Sequence, residues 1–203
     1  MRPLLAALAA ALALAAPAHA VERVIVAFGD SLTAGLGVTP EDSYPSRLQA
    51  RLRTEGYDYR VVNAGASGDT TAGGLRRVDW ALKNKPEVVI VALGANDGLR
   101  GQDLASVRAN LDAIVARFQK AGVRVLVAGM EVPPNYGARY TADFRRMFRD
   151  VALKRGAVFM PFLLDGVAGN PRLNQPDGIH PTPEGYRIVV EHLWPHLEPM
   201  LRR

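Results

Sequence analysis

The 203-residue chain contains no cysteine. That excludes disulfides, thiolate zinc sites, a cysteine nucleophile and a lipoprotein anchor, so an exported product has to be held together by its core. Nucleotide loops are missing too. The glycine-containing run Gly29-Asp30-Ser31-Leu32-Thr33-Ala34-Gly35 matches neither Gly-x-Gly-x-x-Gly nor Gly-Lys-Ser/Thr, which speaks against a non-catalytic flavodoxin-like module binding a nucleotide or flavin. Long apolar runs are confined to the N-terminus. There Arg2 precedes an apolar stretch from Leu4 to Ala16 and the small-residue site Ala18-His19-Ala20. This layout predicts a secretory signal peptide over residues 1–20 and an exported product, periplasmic or secreted. The stretch falls short of the ~20 apolar residues of a spanning helix, so no stable membrane insertion is expected. Charge lacks clustering as well. Lys and Arg number 25 against 20 Asp and Glu, and pairs such as Arg76-Arg77 and Arg145-Arg146 are interleaved with acids. That pattern describes a solvated face and gives no nucleic-acid stripe.

What is present is a regular alternation of strand-like and helix-like segments over residues 21–203, enough for one domain with a sizeable core. Strands are predicted at Arg23–Phe28, Tyr59–Asn63, Val88–Leu93, Val123–Gly129 and Ala157–Pro161. The runs Val88–Leu93 and Val123–Val127 are continuously apolar rather than alternating, as suits parallel strands covered on both faces. Helices are predicted at Ser43–Glu55, Thr70–Lys83, Asp103–Ala121, Thr141–Arg155 and Pro183–Leu201. In the third, Leu104, Val107, Leu111, Ile114, Val115 and Phe118 form one stripe, with Asp103 as N-cap and Gly122 as terminator. In the last, Thr182 caps, Pro183 takes the first position and Pro195 is expected to kink or divide the helix. The implied fold is α/β: a three-layer α/β/α sandwich on a five-stranded parallel, flavodoxin-like sheet of order 2-1-3-4-5.

Chemistry-bearing residues sit in the loops after the first three strands and just ahead of the last helix. They are Gly29-Asp30-Ser31, Asn63 to Thr70, Gly94-Ala95-Asn96-Asp97-Gly98 and Asp177-Gly178-Ile179-His180-Pro181. Parallel strands bring their C-terminal ends to one edge, so these distant segments can converge there. Each residue type suits acyl transfer. Ser31 is the candidate nucleophile and His180 the candidate base. Asp177, three residues earlier, can fold back to hold the imidazole tautomer. The backbone N–H groups of Ser31 and Gly68 and the side-chain amide of Asn96 are the candidate oxyanion donors. Asp30, Asp69 and Asp97 read as loop-stabilising or capping carboxylates. His192 and His196 have the i, i+4 spacing of a metal pair but no carboxylate motif beside them and Pro195 between them, so no metal is expected.

These four blocks resemble those of the SGNH (GDSL) hydrolase superfamily, over essentially all of residues 21–203. Within it, Asn96-Asp97-Gly98-Leu99-Arg100-Gly101 and Pro134-Asn135-Tyr136-Gly137-x-x-Tyr140 are similar to a secreted bacterial branch described as arylesterase, acyl-CoA thioesterase I and lysophospholipase. The resemblance implies Ser31, Asp177 and His180 as the triad and Gly68 and Asn96 as oxyanion donors. It also implies that loops Asn96–Asp103 and Val132–Tyr140 line an acyl site, with Leu99, Val132, Pro133 and Tyr136 contacting substrate. Tyr136 and Tyr140 are equally open to packing their own loop. The partners it implies are small acyl esters, thioesters or lysophospholipids, with no cofactor. A carbohydrate O-acetyl esterase using the same residues is the alternative.

Overall fold

The computed structural model describes residues 23–203, and the expected signal peptide lies outside them. Five parallel strands form the sheet: β1 (Arg23–Gly29), β2 (Tyr59–Gly65), β3 (Val88–Ala92), β4 (Arg124–Ala128) and β5 (Val158–Met160). Their order is β2-β1-β3-β4-β5, the flavodoxin-like order expected. The order reverses between β1 and β3, and the crevice at such a reversal is where open α/β sheets place ligands. Every residue of β3 is buried, and β1 is buried from its second residue onward.

Helices α1 (Ser31–Ala34), α2 (Tyr44–Thr54), α3 (Thr71–Leu82), α4 (Ala95–Leu99), α5 (Leu104–Lys120), α6 (Ala138–Arg155) and α7 (Pro183–Leu197) cover the sheet. α3 packs on α5 and α5 on α6, while α2 pairs with α7. The predicted stripe of α5 is buried at Val107, Leu111, Ile114, Val115 and Phe118, and Phe118 meets Phe28 of β1 edge-on at 5.3 Å between ring centroids. Burial of each such side chain contributes about 1.5–3 kcal/mol. The caps are as the sequence suggests: the Asp103 carboxylate accepts from Ser106 N at 2.9 Å, and Thr182 Oγ1 accepts from Gly185 N at 3.3 Å. Edge strand β2 is blunted by Gln49, whose amide donates to the Tyr59 carbonyl at 2.8 Å and accepts from Val61 N at 2.7 Å, leaving less of the edge free to pair with another chain.

Beyond shifts of a residue or two at element ends, three features differ from expectation. Pro195 does not divide the last helix, which runs past it and ends at Leu197 rather than Leu201. Its ring removes one intrahelical bond near the C-terminus, and buried Leu193, Trp194 and Leu197 hold the turn around it. α6 starts at Ala138 rather than Thr141. Tyr140, Phe144 and Phe148 recur every four residues, and their ring centroids lie 6.3 Å and 5.2 Å apart in succession, so the extra turn is packed into an aromatic ladder. The loops after β1 and β3 are not wholly irregular. Each tightens into a short helix, α1 or α4, too brief to show a period in sequence.

Candidate active site

β1 ends at Gly29, and the chain turns at once into α1 with Ser31 as its first residue. Asp30 is the N-cap and accepts from Leu32 N at 3.0 Å. Only glycine fits at 29, because a Cβ there would lie 1.9 Å from Thr33 Oγ1 and 2.7 Å from the Ala92 carbonyl. The tight turn leaves Ser31 just past the C-terminal end of β1, 9 % exposed.

His180 arrives from the segment before α7 and is also 9 % exposed. Its Nε2 lies 2.9 Å from Ser31 Oγ and its Nδ1 2.7 Å from Asp177 Oδ2. The loop carrying it is pinned by Gln175 N donating to the His180 carbonyl at 2.8 Å and Thr182 N donating to the Leu173 carbonyl at 2.8 Å. Asp177 Oδ1 accepts from Ile179 N at 3.0 Å and His180 N at 3.1 Å. The Ile179 amide, then the His180 side chain, hold the Asp177 carboxyl down to about 2, although its side chain is 45 % exposed. It is therefore an anion at any pH above that, and the stability it contributes, complete above the ordinary value of 3.8, is lost only as pH falls towards 2. With Asp177 ionised, Nδ1 carries the proton and Nε2 presents a lone pair to the Ser31 hydroxyl.

Of the predicted oxyanion donors, Ser31 and Asn96 line one cavity with His180. Asn96, in α4, gives one amide hydrogen to the Asp69 carbonyl at 2.9 Å, while its nitrogen lies 3.3 Å from Asp30 Oδ2. The second hydrogen meets only this longer contact, so it is the one available to a developing oxyanion while the Asp69 bond fixes the amide plane. Gly68 has φ +78°, a conformation that favours glycine, and its N–H and that of Ser31 have no protein acceptor among the described residues. Asp97 is a support, as expected: buried, it accepts from Thr71 N at 2.9 Å and Thr71 Oγ1 at 2.7 Å, tying α4 to α3. Asp69 is likewise taken up in a salt bridge with Arg77, at 2.6 Å.

A cavity of about 470 Å³ opens beside Ser31, Asn96 and His180. Leu99, Val132 and Pro133 line it. Tyr136 does not. The chain coils into a single 3₁₀ turn at Pro134–Tyr136, which stacks the Tyr136 ring on Tyr140 at 6.2 Å and lets its hydroxyl donate to the Leu99 carbonyl at 2.7 Å. It braces the wall instead of forming it. Met130, Phe162, Leu164 and Ile179 extend the apolar lining, and no motif in the sequence marks them as doing so. Met130 and Phe162 follow β4 and β5 by two residues, so the rule that ligands gather outside the carboxyl ends of strands was the signal that could have found them. His192 and His196 share a surface hollow with Asp165 and Glu191, but no group of three or more such side chains is arranged to hold a metal ion among the described residues.

Asp30 also faces this cavity. Full burial pushes its carboxyl up to about 6, against the Leu32 hydrogen bond and the nearby His180 charge, which pull it down. Because the folded value lies above the ordinary 3.8, the stability that Asp30 confers is present below pH 4 and lost as pH rises through 6. Asp30→Asn removes that titration. The stability of the variant relative to wild type should rise by up to about 3 kcal/mol between pH 4 and pH 8 in denaturant unfolding. A pH-independent offset would contradict the assignment.

A serine at the start of the helix after β1, hydrogen-bonded to a histidine that a carboxylate holds and sharing a cavity with the Asn96 amide, defines a serine hydrolase. The chain belongs to the GDSL-like lipase/acylhydrolase family, whose model matches residues 27–188. It is 43% identical over 184 residues to a protein named esterase TesA from Pseudomonas aeruginosa, covering 90% of this chain and 92% of that one. It is 31% identical over 183 residues to thioesterase 1/protease 1/lysophospholipase L1 of Escherichia coli, covering 90% and 86%. Among solved structures, the psychrotrophic esterase EstA from Pseudoalteromonas sp., inhibited by monoethylphosphonate, superposes with a TM-score of 0.83 at 32% identity, covering 87% and 97%.

Proposed function

We propose that this protein is an exported serine esterase that moves the acyl group of esters and thioesters first to Ser31 and then to water. The observation that carries the reading is the continuous relay from Asp177 through His180 to Ser31, with hydrogen bonds of 2.7 Å and 2.9 Å. In acylation, Ser31 Oγ attacks the carbonyl carbon while His180 Nε2 takes the hydroxyl proton. The tetrahedral oxyanion receives hydrogen bonds from the Asn96 amide and the Gly68 and Ser31 N–H groups. Collapse expels the alcohol or thiol with the proton from Nε2, leaving an acyl-Ser31 ester. In deacylation, water takes the place of the leaving group, gives its proton to Nε2 and releases the carboxylic acid as Ser31 Oγ recovers the proton. The Asp177 carboxylate, held charged by its backbone donors, keeps the Nδ1 proton in place throughout.

The apolar cavity favours medium or long acyl chains over acetate, and the names of the similar proteins support esters, thioesters and lysophospholipids as the substrate range. Export rests on the residue 1–20 layout. No helix among the described residues is long and apolar enough to cross a membrane. A panel of octanoyl nitrophenyl ester, octanoyl thioester, lysophospholipid and acetylated sugar tests the reading. Turnover should favour the octanoyl and lysophospholipid members; a preference for acetylated sugar would make the protein a carbohydrate O-acetyl esterase instead. Asn96→Ala should lower kcat on the octanoyl ester by about 10²–10³-fold, the loss typical of one oxyanion donor. A loss below threefold would remove Asn96 from that role.

A further inference from the structure

The donors assigned to the oxyanion belong to different loops, and a shift of about 1 Å in such a group can cost two orders of magnitude in rate. Something must hold both loops to the strand that bears the nucleophile. The geometry points to Arg77, a residue that touches neither the relay nor the cavity, as the positioning residue of the oxyanion site; the inference rests on the esterase reading above.

Arg77 lies on α3 with its side chain 19 % exposed. Its guanidinium donates along three directions. Nε reaches Asp69 Oδ2 at 2.6 Å, Nη1 the Ala64 carbonyl at 2.6 Å and Nη2 the Gly29 carbonyl at 2.5 Å. The flat group lies over the Phe28 ring, 4.1 Å from its centroid. These contacts grip the C-terminal ends of β1 and β2 and the loop that follows β2. Gly29 is two residues ahead of Ser31. Asp69 directly follows Gly68, one donor, and its carbonyl accepts the Asn96 amide, the other, at 2.9 Å. One planar cation therefore references both off-strand donors to the strand end that presents Ser31. Only an arginine does this, because its fork supplies fixed directions to three acceptors, whereas a lysine is a point donor without a plane to stack.

The test compares wild type, Arg77→Lys and Asp69→Asn, each also in the Asn96→Ala background, on an octanoyl nitrophenyl ester, with thermal unfolding as the fold control. Arg77→Lys should lower kcat about 10- to 100-fold with KM changed less than about twofold, since ground-state binding does not use the oxyanion donors. Asp69→Asn keeps the shape and removes one charge. It should lower kcat about 3- to 10-fold, and it carries the test should Arg77→Lys fail to fold. Both losses should shrink to less than half in the Asn96→Ala background, because damage routed through the Asn96 donor cannot be counted twice. A merely structural role would lower unfolding temperature and leave the losses multiplicative. Wild-type kcat in the folded variants, or undiminished losses in the double variants, would overturn the proposal. An Asn96→Ala enzyme of wild-type rate would remove the oxyanion role itself, and the proposal with it.

Discussion

Ser31→Ala is expected to lower kcat on an octanoyl ester by on the order of 10⁴–10⁶-fold and to leave the fold intact. Among the described residues the hydroxyl's one side-chain hydrogen bond is with His180 Nε2, at 2.9 Å, so its loss unpairs only a nitrogen that already faces the cavity. Asp30 still caps α1 through Leu32 N, so stability should stay within about 1 kcal/mol of wild type. What remains is attack by water on a substrate still held against the Asn96 and Gly68 donors, which explains why the rate should stay above background. Rates within tenfold of wild type in the folded variant would reject Ser31 as nucleophile.

Asp177→Asn should cost nearly as much, about 10⁴-fold in kcat, with almost no change in volume. The direction of the new amide is fixed by the backbone. Oδ1 is held by the N–H groups of Ile179 and His180 at 3.0 Å and 3.1 Å, which an amide nitrogen cannot accept. The Asn oxygen must stay there, so its NH₂ takes the place of Oδ2 and points at His180 Nδ1. Nδ1 then has to accept, the ring proton moves to Nε2, and the lone pair needed to deprotonate Ser31 is gone. Asp177→Ala lacks this enforced tautomer and should lose less. The two variants assayed side by side at neutral pH decide the matter, and an alanine variant slower than the asparagine variant would contradict it.

Fold and site were legible to different depths for physical reasons. The sheet was readable because Val88–Ala92 and Val125–Ala128 are buried on both faces, and a strand with no solvent side has to be written in apolar residues throughout. Ser31, His180 and Asp177 were readable because their chemistry restricts residue type within short blocks. The cavity wall was not. Phe162, Leu164 and Ala168 lie in a segment with neither helical nor strand period, and nothing local says that it folds back over Ser31. The role of Tyr136 stayed open in the sequence for a related reason, since a stacked ring and a ring against substrate need the same aromatic residue. Arg77 reads as one more charge on an amphipathic helix; only the convergence of Gly29, Ala64 and Asp69 upon it shows its work.

The intermediate itself can be weighed. Enzyme mixed with excess octanoyl ester, quenched in acid within a turnover and digested for mass spectrometry, should show one octanoyl adduct, on the peptide containing Ser31. The adduct should be absent from Ser31→Ala and should build up before the steady state. An octanoyl group on any other side chain, or turnover by wild type with no adduct detectable under conditions that make deacylation limiting, would contradict covalent catalysis at Ser31.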